Sequence, residues 1–199
     1  MPLRKLKYVN AVVILHGKSE LIMAEYIKSN LHLRIEFKSK NKGKNSIQIN
    51  GLMNVLRKYP FNSAKAMADE YGIEYDEKNN KLKNFKLFII MDTDDCTEEK
   101  ANKYKNKDMF KGHPLEQYIE PIYNSENLDK VMERAKIKTK KKTNSKGEVY
   151  EKIFPMNEGP RTQKTIDEVK QFADKIRNVN GSNLIRFVEY CISLASKDD

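Results

Sequence analysis

Five consecutive apolar residues, Leu87-Phe88-Ile89-Ile90-Met91, run straight into Asp92-Thr93-Asp94-Asp95. The chain around them is very polar, with a mean hydropathy of −0.76, so this run is read as a buried strand. A strand that is apolar at every position belongs inside an α/β sheet covered on both faces, not in a half-solvated antiparallel one. It also delivers carboxylates to the carboxyl edge of the sheet, which is where open α/β sheets bind ligands. Asp92 and Asp94 are two residues apart, so in an extended chain they point the same way and can share one divalent cation.

A second continuous apolar strand, Tyr8 to Leu15, ends in His16-Gly17-Lys18-Ser19-Glu20. Gly17 marks a turn, and Ser19 reads as the N-cap of a helix from Glu20 to about Ser29 with Ile22, Met23, Tyr26 and Ile27 on one face. Leu31 to Phe37 alternates apolar and polar residues as a strand does. Strand, helix and strand make a βαβ unit with a right-handed crossover. Helices are expected over Ile47 to Lys58, Ser63 to Tyr71 and Pro114 to Ile122. Thr97 to Lys107 is compatible with a helix but lacks an apolar stripe, so it reads as exposed or as a mobile loop. Asn124-Ser125 looks like a cap for a helix over Leu128 to Ala135, and two helices follow, near Gln163 to Asn178 and Ser182 to Ser196. The expected organisation is an α/β core over 1–124 and a helical region over 125–199 packed on it, with a basic loop at about 136–150.

The 199 residues suffice for one domain with a real core, and the formal charge of +10 favours acidic partners. Nucleic acid is the commonest polyanion for such a chain, since phosphate binding releases counterions. Lys40, Lys42 and Lys44 in one basic loop and Lys140, Lys141 and Lys142 in another are the candidate backbone contacts. No aromatic residue interleaves either run, so a stacking platform is not indicated. Cys96 and Cys191 show no CxxC spacing, and no apolar run reaches the roughly 20 residues of a membrane span. A cytoplasmic protein with no membrane partner is expected.

The order and spacing of three segments resembles a family. His16-Gly17-Lys18-Ser19-Glu20, Met91-Asp92-Thr93-Asp94-Asp95 and Gly112-His113-Pro114-Leu115-Glu116 are similar to the Toprim catalytic domain, and more narrowly to its RloB-like branch. That branch carries a Glu-Gly-x-x-Thr-Glu box, an Asp-x-Asp strand end and an Asn-Pro-x-x-Glu segment. The resemblance covers about residues 8 to 124. It implies a Toprim-like, Rossmann-like sheet, mostly parallel and flanked by helices, with a helical C-terminal extension. It also implies Mg2+ (or Mn2+) held by Asp92, Asp94 and Glu116 for phosphodiester chemistry on DNA or RNA. His16 and Glu20 would be the acid/base or second-metal groups, and Lys18 a phosphate contact. RloB-like proteins accompany a separate ATPase in phage-defence or restriction loci, so an ATPase partner is implied too.

The departure is His16, where the family has glutamate. Imidazole carries protons well, but it is a poor magnesium ligand and a better one for manganese or other transition metals. Three readings follow: a metal-dependent nuclease, a catalytically impaired Toprim-like protein that binds nucleic acid or a partner, and a nucleotide-sensing module on the same rim.

Overall fold

The computed structural model describes residues 8–139 and 146–196. Lys140, Lys141 and Lys142, expected to contact nucleic acid, lie outside the described residues. In chain order the elements are β1 (Ala11–Leu15), α1 (Lys18–Leu31), β2 (Ile35–Lys38), α2 (Ile49–Leu56), α3 (Ala64–Tyr71), the two short strands β3 (Tyr75–Asp76) and β4 (Lys81–Leu82), and β5 (Lys86–Asp92). They continue with α4 (Glu98–Lys105), β6 (Ile119–Asn124), α5 (Leu128–Arg134), α6 (Lys146–Ile153), α7 (Gln163–Ile176) and α8 (Ile185–Ala195). β3 and β4 pair antiparallel by themselves. The other four strands form one parallel sheet in the order β2-β1-β5-β6.

The two apolar runs are explained by where alternate side chains go. Ala11, Val13, Leu15, Phe88 and Ile90 enter one apolar cluster with α1 and α5 to α8. Val12, Ile14, Leu87, Ile89 and Met91 enter a second cluster with α2, α3 and Tyr104 of α4. Each strand thus feeds two cores, and a polar residue at either parity would be stranded in one of them. The sheet with helices on both faces is consistent with a Rossmann-like fold. The helices after β6 do not stand apart from it, because Leu128, Tyr150, Phe172 and Phe187 pack in the same cluster as β1 and β5. No helix among the described residues is long and apolar enough to cross a membrane.

Several elements differ from expectation. The segment read as a helix over Pro114 to Ile122 is a single 3-10 turn at Glu116–Tyr118 followed by β6. Leu115, Tyr118, Ile119 and Ile122 imitate helical spacing, but Pro121 has no N–H to donate and its ring blocks a helical turn. An edge strand tolerates it. The open edge is then covered by the 181–183 segment: Asn183 Nδ2 donates to the Pro121 carbonyl (3.0 Å), Tyr123 N–H donates to Asn183 Oδ1 (2.8 Å), and Ser182 bridges Asn124. α1 begins at Lys18 with Gly17 as N-cap, so Ser19 is inside the helix rather than capping it. The expected strand from Leu31 starts only at Ile35, because α1 runs to Leu31 and closes on His32 in the left-handed conformation. Asn127, not Asn124-Ser125, caps α5, its side chain accepting from Lys130 N–H. Cys96 and Cys191 are both free thiols.

Within Thr97 to Lys107, Glu98–Lys105 form a regular helix, α4, capped by the Thr97 hydroxyl. Its anchor is Tyr104, fully buried, whose hydroxyl faces the Ile89 carbonyl of β5 (2.5 Å) and the Ile122 carbonyl of β6 (3.0 Å). Burial pushes this phenol well above its ordinary pKa, so it stays a donor. One hydroxyl therefore holds a helix with no apolar stripe against two strands. Replacing it leaves strand carbonyls short of a donor in a dry site, which costs about 1–3 kcal/mol. Tyr104→Phe should lower the free energy of unfolding in urea by that amount at unchanged m-value.

Candidate functional site

β1 leads to β2 on one side of the sheet, while β5 and β6 lie on the other, so the chain reverses direction between β1 and β5. The carboxyl ends of these two neighbouring strands frame the crevice where such sheets bind ligands. His16 follows β1 directly and extends the ladder by one bond, its N–H donating to the Ile90 carbonyl (3.0 Å). Its carbonyl accepts from Ile47 N–H (2.8 Å), and its Nδ1 lies 3.0 Å from the Ile47 carbonyl. A carbonyl can only accept, so Nδ1 carries the hydrogen and Nε2 is left facing the site. Nε2 is 4.0 Å from Asp92 Oδ2. That gap is too long for a hydrogen bond, and it is wide enough for a water or a cation to touch both groups.

Asp92 is the last residue of β5 and is buried, 6% exposed. Asn124, its ladder partner on β6, donates from Nδ2 to Asp92 Oδ1 (3.0 Å). The Ser182 hydroxyl donates to Asn124 Oδ1 (3.0 Å), so a chain of polar side chains orients the carboxylate. Beyond Asp92 the strand alternation stops. Thr93 turns the chain by donating its N–H to the carbonyls of Asn124 and Glu126. Asp94 consequently does not join Asp92: it is exposed and accepts from Asn127 Nδ2 (3.2 Å). Asp95 turns inward instead. Both of its carboxylate oxygens are buried without a hydrogen-bond partner. Desolvation raises its pKa, with the nearby His16 and, least of all, its own backbone N–H pulling the other way and Asp94 adding to the rise. This is the orphaned group of the site, and it sits one residue past the pair expected to act.

Glu20 is in the first turn of α1 and only 3% exposed. A Cβ on Gly17 would lie 3.3 Å from Glu20 Oε2, so the carboxylate folds back over the cap of its own helix. There it is favoured by the helix dipole. Tyr150 of α6 is buried beside it and donates to Asp129 Oδ1 (2.8 Å). Burial, that hydrogen bond and the charges of Asp129, Glu20 and Asp92 all push the phenol upward. Tyr150 was missed from sequence because α6 follows a lysine run without a core-forming pattern. Lys18 reaches across to α6 and pairs with Glu151 (3.3 Å), both side chains being about half exposed. Such a pair is weak and easily exchanged for another anion.

Glu116 is not at this rim. It precedes β6, whereas Asp92 pairs with Asn124 at the strand's far end. Its carboxylate accepts from Gly112 N–H (2.8 Å) and closes a turn, so the sheet's length separates it from the expected metal pair. Lys40, Lys42 and Lys44 are exposed on a tight hairpin closed by a Lys40–Asn45 bridge. Gly43 at its tip has φ +79, and a Cβ there would come within 2.7 Å of Lys18 Cα, so the hairpin leans on the first turn of α1.

The rim therefore gathers His16, Glu20, Asp92 and Asp95, with Lys18 beside them. Among the described residues no group of three or more His, Cys, Asp or Glu side chains is placed closely enough to hold a metal. The donor chemistry fits a divalent cation in part: a carboxylate fixed by Asn124, an imidazole nitrogen 4.0 Å from it, and a second carboxylate left without a side-chain partner nearby.

Asp95 supplies a pH test. Its raised pKa means that ionisation destabilises the folded state above the ordinary carboxylate range, and that the penalty disappears as pH falls and the group protonates. Asp95→Asn should melt above the wild type at pH 7 in metal-free buffer, with the gap closing toward pH 4 in a thermal unfolding series. Comparisons with protein-family models, with curated proteins and with solved structures found no significant match to this chain.

Proposed function

We propose that the chain is a metal-dependent phosphodiesterase acting on nucleic acid. The observation that carries this is His16 Nε2 facing Asp92 Oδ2 across 4.0 Å at the switch point between β1 and β5. Asp92 and Asp95 are the carboxylates that would hold Mg2+ or Mn2+. A cation there neutralises the charge that develops on a phosphoryl group and activates water. His16, tied through Nδ1 to the Ile47 carbonyl, would move the proton at Nε2. Lys18, at the N-terminal turn of α1, would exchange Glu151 for a phosphate oxygen. The Toprim and RloB-like resemblance agrees with this chemistry and adds a setting: a cytoplasmic protein of phage defence or restriction working with a separate ATPase.

A second reading is favoured by one observation, the lack among the described residues of three converging metal-ligating side chains. In it the rim has lost catalysis along with the family's glutamate, and the protein binds nucleic acid or a partner.

Labelled DNA and RNA, incubated with Mg2+, Mn2+ or EDTA, separate the two. The nuclease reading expects metal-dependent cleavage, lost in Asp92→Asn and reduced about 100-fold or more in His16→Ala. Glu116→Ala, at the opposite end of β6, should cleave like the wild type. Salt-sensitive binding with no cleavage under any metal supports the second reading instead.

A further inference from the structure

Residues 37–68 contain seven basic side chains and not one Asp or Glu, in a chain that otherwise mixes its charges. Elsewhere on the surface lysines commonly pair with carboxylates, as Lys83 with Asp76, Lys107 with Glu120 and Lys130 with Glu133. Lys38, Lys40, Lys42, Lys44, Arg57 and Lys58 are exposed, and no carboxylate of a described residue pairs with any of them. The fold brings the two ends of this stretch together. Lys38, the last residue of the edge strand β2, and Lys58, just past α2, line one cavity of about 230 Å3.

That cavity has the parts of a base pocket. Phe61, 1% exposed, and Val55 line it with apolar surface, and Asn54 brings an amide that both donates and accepts. At its mouth stands Tyr59, 61% exposed although aromatic, with its hydroxyl fixed by donating to Glu70 Oε2 (2.9 Å). The ring is thus tethered at its hydroxyl while most of it meets solvent. Aromatic interleaving is invisible in the sequence because Tyr59 lies twenty-one residues beyond Lys38 and meets it only through the fold.

We propose that this surface is a binding track for single-stranded nucleic acid. Phosphates lie along the Lys40–Lys44 hairpin, which leans on α1 beside His16, and a base enters the Lys38/Lys58 cavity against the face of Tyr59. Unpaired cations supply sequence-independent attraction to the backbone, and stacking on an aromatic face selects an unpaired base over one locked in a duplex. The track deepens the proposed function by naming its substrate as single-stranded, and it is tested without catalysis.

The test is fluorescence anisotropy in EDTA with the Asp92→Asn protein and a labelled 20-nucleotide mixed-sequence strand, as DNA and as RNA, against the same sequence as duplex. A loss of cleavage in the nuclease assay leaves this result untouched, so the two readings fail separately. Tighter binding of a single strand than of the duplex is expected. Tyr59→Ala should weaken it about five-fold or more, while Tyr59→Phe, which keeps the face and loses only the bond to Glu70, should bind nearly as the parent. Lys40, Lys42 and Lys44 changed together to Ala should flatten the slope of log K against log salt by about 2. Equal or tighter binding of the duplex, equal losses in Tyr59→Ala and Tyr59→Phe, or an unchanged salt slope overturns the proposal. Each variant's melting temperature should match the parent's, because all four side chains are exposed.

Discussion

The site depends on one hydrogen bond beyond a strand. The β1–β5 ladder pairs Leu15 with Ile90, and the His16 N–H to Ile90 carbonyl bond carries the pairing one residue further. Without that extra rung β1 would release the chain at Leu15, and only the bonds between His16 and Ile47 would hold the imidazole beside Asp92. The rung is secured by burial, since both strands are apolar at alternate positions for two different cores. A register slip of one residue would move every side chain of β1 to the wrong face. The geometry of the rim is therefore inherited from the packing of the sheet, and His16 needs no interaction of its own beyond Ile47 to stay in place.

The same packing leaves electrostatic tension at the rim. Asp92 is satisfied by Asn124, and Asp94 has escaped toward solvent and Asn127. Asp95 gained neither outcome: its oxygens are buried and unpartnered while its backbone carbonyl is held by Asn50. Proteins tolerate such a cost where a site is used, and a purely structural turn would relieve it with an amide in place of the acid. The tension sits where the field of His16 reaches, which is why the imidazole counts among the forces opposing the rise in the Asp95 pKa.

Much of the sheet was legible from sequence because continuous apolar runs leave few alternatives. The strand ending at Asp92, its neighbour ending at His16 and the two C-terminal helices all carry strong periodic signals. β6 was not legible by periodicity, since its apolar residues fall at helical spacing, although Pro121 was a local signal against a helix. α4 and α6 were obscured for a different reason. Each is anchored by a buried tyrosine, Tyr104 or Tyr150, whose hydroxyl finds a distant acceptor, and such a contact has no footprint in local pattern. The site shows the same division. His16 and Asp92 could be named because they end strands, whereas Asp94 and Asp95 exchanged places because alternation cannot be extended past the last ladder pair.

Charge is arranged in two zones whose signs work against each other. A phosphate approaching Asp92, Asp95 and Glu20 meets buried negative groups, whose repulsion is strong in a dry crevice. The basic side chains of 37–68 lie on the flank of the same rim and are exposed, with Glu70 the nearby acid at Tyr59, so their pull acts over about a Debye length but is screened in detail. The lysines can therefore gather a polyanion without deciding where its scissile bond rests. Only a positive charge placed among the carboxylates reconciles the last few ångströms, and under the proposed function a bound cation would meet that requirement. Under the proposed function, a rim that holds an unpartnered Asp95 and a His16 Nε2 facing Asp92 would need such a charge before a phosphate could settle against it.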